Sequence, residues 1–477
     1  MQRQGFSLEI WRKRLGVPLA VICGILVLVT GKPASLSVAG HKSLALFASV
    51  FVLYLTEAIP LAITSILVVP AAVLMEITNT KNALSGFGSS TVYLIMGAFI
   101  LGAAMVKSRL ADRITYLIMK LLGDRARNIL LGVVLANIVL AFLVPSTVAR
   151  TAILLPICVG ILQVFKTEGR SNFAVALLLI LAFTNSTISA GILTATTPNP
   201  VTIGFIQNAS GHLISFGEWF LYGFPPALFM TFFTFWLVSF MYKPEVDRIP
   251  GGSDYVAAKL TTLGSLNSNE KRSVYIFSLV VLLWVVGGWI NVDATIACLV
   301  GVGLLFLPKI GFLTWEDANK QISWSVLMVT GGGISLGDIL VETGAAKWLA
   351  ITIFHGLGLS NLSLVMTLVI IMVIVNYLHV VFVGTTPMAT ALIPIVIGMA
   401  GVLNVNPVIL ALPAGMIIGG YPQLMFYNTM SNILVYGTGK VRVGDFPRTG
   451  FVLCTVACIV YALCAVTYWQ WLGLTSR

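Results

Sequence analysis

The sequence predicts an all-α polytopic membrane protein, with about eleven transmembrane helices plus two re-entrant hairpins, arranged as an inverted repeat of two halves. Three observations predict it. First, of 477 residues, 58% are hydrophobic and only 9% are charged, where a soluble domain carries about 25% charged residues. Second, runs such as 16–29, 44–55, 92–106, 175–183, 274–290, 364–383 and 451–471 are almost free of charge. Third, two short polar motifs recur in the same order in both halves of the chain.

A chain this apolar cannot cover itself with polar surface. A bilayer span needs roughly 20 apolar residues as helix. Open sheets are excluded, because each unpaired backbone group in lipid costs several kcal/mol. The net charge of +11 would suggest nucleic acid in a soluble protein. Here the basic residues mark topology instead, and no nucleic-acid partner is expected. They gather at Arg3, Arg12, Lys13 and Arg14, and in 107–127, 243–272 and 440–448. Those stretches, including the N-terminus, are expected on the cytoplasmic side of a bacterial inner (plasma) membrane. The first apolar run has no clear small-x-small cleavage site and reads as a true first span. Six cysteines lie in apolar segments without a C-x-x-C pair, so they read as small buried hydrophobes.

The expected organisation is a first half over 1–241, a cytoplasmic linker over 242–272 and a second half over 273–477. The linker is polar, of mixed charge, and contains Pro250-Gly251-Gly252. The repeat rests on two pairs of motifs. Ser146-Thr147-Val148-Ala149-Arg150 leads to Pro156, and Gly384-Thr385-Thr386-Pro387-Met388 leads to Pro394. Pro156 and Pro394 stand 238 positions apart. Downstream follow Thr196-Thr197-Pro198-Asn199 and Thr429-Met430-Ser431-Asn432, with 233 positions between the two asparagines. Two motifs in one order at nearly one offset mark a duplicated unit.

The first motif lies between apolar arms of about 15 residues, or about 22 Å of helix. That falls short of the roughly 30 Å hydrocarbon core. A re-entrant hairpin near 129–165, with its polar tip at mid-membrane, satisfies both lengths. A second hairpin is expected near 364–403, with a longer first arm (364–383). Pro198 breaks a helix, because proline lacks the donor that the helix interior needs. Gly419-Gly420-Tyr421-Pro422 does the same in the second half. Irregular backbone at membrane depth survives only against a cavity or inside protein. Free N–H groups at the helix ends, with Ser and Thr hydroxyls, then suit an anion. The competing account is that each Ser or Thr bonds its own helix. It fits one motif as well, but not four in repeated order.

At these motifs the chain resembles the divalent anion:sodium symporter (DASS) family. Thr56-Glu57-Ala58-Ile59-Pro60, 93–101, Phe312-Leu313-Thr314-Trp315-Glu316-Asp317-Ala318 and 324–333 also match, so the likeness covers nearly the whole chain. The resemblance implies a secondary active transporter of di- or tricarboxylates, of the succinate, citrate, malate and 2-oxoglutarate class. It implies alternating access of a transport subdomain against a scaffold, and a homodimer. Members carry two Ser-Asn-Thr hairpin tips that bind carboxylate and help form two sodium sites. Here the matching positions are Ser146-Thr147-Val148 and Gly384-Thr385-Thr386, so both asparagines are replaced. Arg150, one turn beyond Ser146, resembles an arginine of the citrate/succinate and 2-oxoglutarate/malate exchanger branch. A guanidinium there supplies positive charge that Na⁺ supplies elsewhere, and it pairs with carboxylate.

The expected substrate site is thus Ser146, Thr147, Arg150, Thr196, Thr197, Pro198, Asn199, Thr385, Thr386, Thr429, Ser431 and Asn432. No cofactor is expected; Na⁺ is a candidate coupling ion. A sodium-coupled carboxylate symporter, or a carrier of an inorganic divalent anion such as sulfate, is the alternative. A membrane-embedded enzyme needs clustered acids or metal ligands, whereas the acids are scattered and the four histidines lie far apart. His379 reads as a packed, hydrogen-bonded residue, Glu57 as a capping or pairing group, and Gly331-Gly332-Gly333 as a helix-packing or breaking run.

Overall fold

The computed structural model describes residues 2–165, 170–359 and 362–474, with side chains from Lys13 onward. Among the described residues the regular structure is helical, apart from one isolated two-residue bridge between Arg125 and Arg248. The first half opens with an additional helix, α1 (Gln2–Val29). That half then runs α2 (Val38–Thr56), α3 (Leu61–Leu74), the short α4 (Thr80–Ala83), α5 (Ser90–Ser108) and α6 (Leu110–Leu122). Then come the arms α7 (Ala126–Leu143) and α8 (Thr147–Val164), the broken pair α9 (Asn172–Ser189) and α10 (Pro198–Ser210), and α11 (Phe216–Met241). After α12 (Gly252–Leu263) the order recurs: α13 (Ser268–Ile290), α14 (Ala294–Phe306), the short α15 (Trp315–Gln321), α16 (Trp324–Glu342) and α17 (Ala345–Gly356). The arms α18 (Leu364–Tyr377) and α19 (Thr385–Leu403), the broken pair α20 (Pro407–Gly420) and α21 (Met430–Tyr436), and α22 (Asp445–Val466) follow, with α23 (Tyr468–Trp471) last. Among the described residues ten helices are long and apolar enough to cross a membrane. The shorter α3 and α14 hold equivalent places in the two halves.

Local chemistry sets these boundaries. Ser146, Ser171, Ser363 and Thr429 each accept a backbone N–H at a helix start. Ser215 with Glu218 and Asn267 with Glu270 form complete capping boxes. Each such cap contributes about 1 kcal/mol. Glu57, Asn291 and Asn404 end their helices in the left-handed region, at φ 47°, 54° and 55°. Glu57 therefore has the capping role expected of it: its N–H closes α2 on the Leu53 carbonyl.

The core centres on α9, whose residues Phe173 to Ser189 are all buried. It is wrapped by α7, α8, α11 and α20, so it is apolar all round until Thr184, where hydroxyls and amides take over. Gly331, Gly332 and Gly333 lie inside the unbroken α16. A Cβ on Gly332 would stand 2.2 Å from the Ser65 carbonyl oxygen of α3. One on Gly333 would stand 2.4 Å from Thr390 of α19. The run is a close-packing surface. All six cysteines are free.

The linker is more structured than a polar stretch suggests, because α12 forms within it and packs on α6 and α8. Glu245 spends its carboxylate on the first N–H groups of α9, at Asn172 and Phe173. Arg113 of α6 holds Glu270 of α13 with two nitrogens, at 2.7 and 3.1 Å, and three linker carbonyls besides. One expectation needs correction. The first arm of the second hairpin is not the longer one: its α-helix stops at Tyr377 and continues as a single 3₁₀ turn to Val380. There Asn428 captures the carbonyls of His379 and Phe382, which removes them from any helical ladder.

Candidate functional site

Both hairpin tips begin a helix. Ser146 caps α8 with its hydroxyl on the Ala149 N–H at 3.2 Å. Gly384, at φ 132°, precedes α19 in a conformation that favours glycine. The tips then meet the broken helices, and each meets the break of the opposite half. Thr386 shares a hydroxyl–hydroxyl hydrogen bond of 2.7 Å with Thr197. Ser431 donates to the Thr147 carbonyl at 3.2 Å. Residues from both halves and all four motifs are therefore in one place, as the repeat requires.

The two asparagines of the breaks are held in the same way. Asn199 donates its Nδ2 to the carbonyls of Ser189 (2.7 Å) and Ile192 (2.9 Å). Asn432 donates its Nδ2 to those of Pro422 (2.9 Å) and Met425 (3.2 Å). In both cases the acceptors lie ten and seven residues back in sequence. In both, the buried Oδ1 has no partner. The unwound carbonyls between α9 and α10, and between α20 and α21, are tied by this one device. Pro198 opens α10 at the first turn, where a missing N–H costs nothing. Thr196 sits against Gly419 of α20, whose hypothetical Cβ would stand 2.9 Å from its methyl. Thr429 caps α21, and Thr385 opens α19 half-buried.

Arg150 is the one fully buried guanidinium among the described residues. It points from α8 into the first break, where Nη2 donates to Ser189 Oγ at 2.6 Å and to the Ala195 carbonyl at 3.1 Å. Its Nε and Nη1 are buried without a partner, so three N–H bonds of a cation remain unspent. No carboxylate pairs with it among the described residues.

Between α5 and the first break lies a cavity of about 10 Å³, lined by Leu94, Pro145, Thr194, Thr196, Thr197 and Pro200. It has room for about one water. Leu94 and Pro200 also border a cavity of about 810 Å³ that extends past Gln207 and Ser215 to Trp284 and Asp293. The space beside the first break is thus narrow, and a larger cavity adjoins it.

Several site residues are not evident from the motifs. Asn185 donates to the Thr147 carbonyl and to Thr151 Oγ1, both at 2.7 Å, and fixes the first tip from α9. Gln423 reaches from the second break to Thr187 Oγ1 at 2.9 Å. Asn137 and Asn376 are buried in equivalent hairpin arms, 239 positions apart, and each bonds the helix beside it. That spacing, nearly that of the prolines, is a signal for them. His379 is packed and bonded as expected, with ring nitrogens 2.7 Å from the Asn376 carbonyl and 3.1 Å from that of Ile418.

Comparison with known proteins fits this arrangement. A family model described as the sodium:sulfate symporter transmembrane region matches residues 9–475. A protein of Cupriavidus necator named only as a membrane protein is 29% identical, over 96% of this chain and 93% of its own length. The sodium-dependent dicarboxylate transporter SdcS of Staphylococcus saprophyticus is 28% identical, over 94% of this chain and 90% of its own. SdcS of Staphylococcus aureus is 28% identical with the same coverage. In fold, the chain is similar to the crystal structure of the YdaH transporter of Alcanivorax borkumensis, with a TM-score of 0.54 and 13% identity over 98% of both chains. With the family model spanning nearly every residue and ten apolar helices to carry it, this chain belongs to the sodium:sulfate symporter transmembrane family.

Proposed function

We propose that this chain is a secondary transporter, and not an enzyme, that exchanges small organic anions of the di- and tricarboxylate class across the bacterial inner membrane. Succinate, citrate, malate and 2-oxoglutarate are its substrate class. The N-terminus and the linker face the cytoplasm, as the basic segments ask. The halves 1–241 and 273–477 are inverted copies. Their hairpins and broken helices move as a transport subdomain against a scaffold that joins two protomers. Substrate carboxylates take the hydroxyls of Ser146, Thr147, Thr196, Thr197, Thr385, Thr386, Thr429 and Ser431, with Pro198, Asn199 and Asn432 shaping the two breaks.

The observation that carries this reading is Arg150, a buried cation with unspent N–H groups and no carboxylate of its own. A charge withdrawn from water is costly unless paired. A bound anion pairs it; an empty site leaves it bare, so reorientation without cargo is disfavoured and exchange follows. The test is counterflow of labelled succinate in proteoliposomes. Arg150→Gln is expected to cut it at least tenfold, and Arg150→Lys to leave partial activity, since lysine keeps the charge without the fork. Unchanged counterflow in Arg150→Gln would sink the counter-charge.

Sodium coupling is the second reading. The relatives named SdcS are sodium-dependent, and the orphaned amide oxygens of Asn199 and Asn432 are hard ligands that suit Na⁺. Labelled succinate uptake into empty vesicles separates the two. Uptake driven by a Na⁺ gradient without preloaded anion replaces exchange with symport. Competition by sulfate, in place of citrate, moves the substrate class.

A further inference from the structure

We propose that the structure carries a binding site for an anionic phospholipid at the membrane boundary where α7 begins and α11 ends. A cavity of about 880 Å³ lies there, lined by Arg125, Arg127, Lys243 and Arg248 and by Trp236 and Phe240. One carboxylate, Asp247, shares the lining. Four cations against one anion make this the most one-sided charge cluster among the described cavities.

The cluster is built, and not a chance crowding of loops. Residues 124–126 and 247–249 pair as an antiparallel bridge, with Ala126 N–H on the Asp247 carbonyl and Ile249 N–H on the Asp124 carbonyl, both at 2.9 Å. That bridge fixes Arg125 and Arg248 opposite one another. Their charges are also unspent: none of the four cationic side chains has an ion pair or hydrogen bond among the described residues. Several other cations of the chain have carboxylate partners. Lys107 has Asp317, Arg109 has Asp112, Arg113 has Glu270 and Arg170 has Asp445. The one acid of the linker's first stretch that lies closest in sequence to Lys243, Glu245, is committed to the start of α9.

The aromatic part of the lining fits the rest of a lipid. Trp236 and Phe240 are 54% and 74% exposed and stack at 5.8 Å on the outer face of α11. Tryptophan favours the headgroup level of a bilayer, where its amphipathic ring is at home, and Phe240 extends the apolar surface beside it. A phosphate beside the four cations then continues into acyl chains along α11 without leaving apolar surface. Basic pockets between transmembrane helices attract anionic headgroups in this way. A soluble anion uses the cations but gains nothing from the aromatic wall, which is why lipid is the occupant.

The experiment titrates the full-length protein in detergent with palmitoyl-oleoyl phosphatidylglycerol against phosphatidylcholine and counts retained lipid by native mass spectrometry. Wild type is expected to retain phosphatidylglycerol selectively. The triple variant R125Q/K243Q/R248Q is expected to lose at least about tenfold in retention, each exposed cation contributing a several-fold factor. Lys243→Gln alone, a single exposed change that leaves the bridge intact, is expected to lose about fivefold. W236A/F240A is expected to weaken phosphatidylglycerol through the acyl wall with every charge kept. The control K120Q/K271Q/K309Q removes three other exposed, unpaired lysines and is expected to retain lipid as wild type does. Equal retention by Lys243→Gln and wild type, an equal loss in the control, or displacement of the lipid by equimolar inorganic phosphate overturns the site. None of these outcomes depends on which solute is transported.

Discussion

At the scale of single residues, the breaks are held by amides and not by the threonines that advertise them. Asn199 and Asn432 each close an unwound segment with two N–H···O=C bonds. Removing a buried partner leaves carbonyls unsatisfied, at about 1–3 kcal/mol. Asn199→Ala and Asn432→Ala are therefore expected to lower stability by similar amounts, read as thermal unfolding in detergent. A neutral result at one position with a large loss at the other would contradict their equivalence. The Thr197–Thr386 bond is a direct link between halves. A double-mutant cycle with Thr197→Val and Thr386→Val is expected to show coupling of about 0.5–1.5 kcal/mol, and additive losses would argue against it. The residues that form these bonds were only partly legible in the sequence. Hydroxyl-rich motifs with prolines stand out from apolar flanks, so Thr197, Thr386, Ser431 and both break asparagines were visible. Asn185 and Gln423 were not, because each lies outside the repeated motifs: Asn185 in Thr184-Asn185-Ser186-Thr187, and Gln423 just after Pro422. The Thr147 carbonyl receives Asn185 and Ser431, a backbone role that no side-chain motif signals.

At the scale of elements, the glycines of α16 set how closely the second hairpin approaches. Gly333 faces Thr390, and Gly337 faces Phe205 of α10 and Pro394 of α19. A methyl group at 333 must push α19 away, and overpacking of this kind costs about 1–3 kcal/mol. Gly333→Ala is expected to reduce both stability and succinate counterflow, whereas Gly303→Ala on α14, which meets nothing within 4 Å, leaves both unchanged. Counterflow at wild-type rate in Gly333→Ala would show that this contact is free to open. The helical elements themselves were evident from runs of apolar residues bounded by Ser, Asn and Asp caps. The sequence predicts too long a first arm for the second hairpin, because Leu378 to Val383 is apolar apart from His379 and nothing local announces the capture by Asn428.

At the scale of the whole molecule, the halves are joined on the polar margins as well as at depth. Lys107 of α5 reaches Asp317 of α15 at 2.5 Å. Lys107, with help from Thr314, holds the Asp317 carboxyl down at about 2. A depressed carboxylate contributes stability that is complete above its unfolded value near 3.8 and is lost as pH falls towards 2. The stability difference between wild type and Asp317→Asn is thus expected to be flat from pH 8 to pH 5 and to vanish near pH 2, and to shrink with salt because the pair is partly exposed. A difference that grows on acidification would assign the tie to another group. Duplication was legible at this scale from two offsets alone, 238 and 233. What no offset reveals is that each tip bonds the other half's break, since sequence spacing carries no information on which copies cross.

That crossing has a consequence for selectivity. With room for only about one water beside Thr196 and Thr197, the transport proposed above has the solute enter by exchange of partners: the hydroxyls of Thr197 and Thr386 release each other and turn to the newcomer. A carboxylate repays the loss with a charge-assisted acceptor for both. The amide or methyl ester of the same acid has nearly the same shape but returns only neutral bonds, which are weaker. Under the proposed function, discrimination against such uncharged look-alikes begins at a latch that is shut by default, before any difference in pocket size is felt.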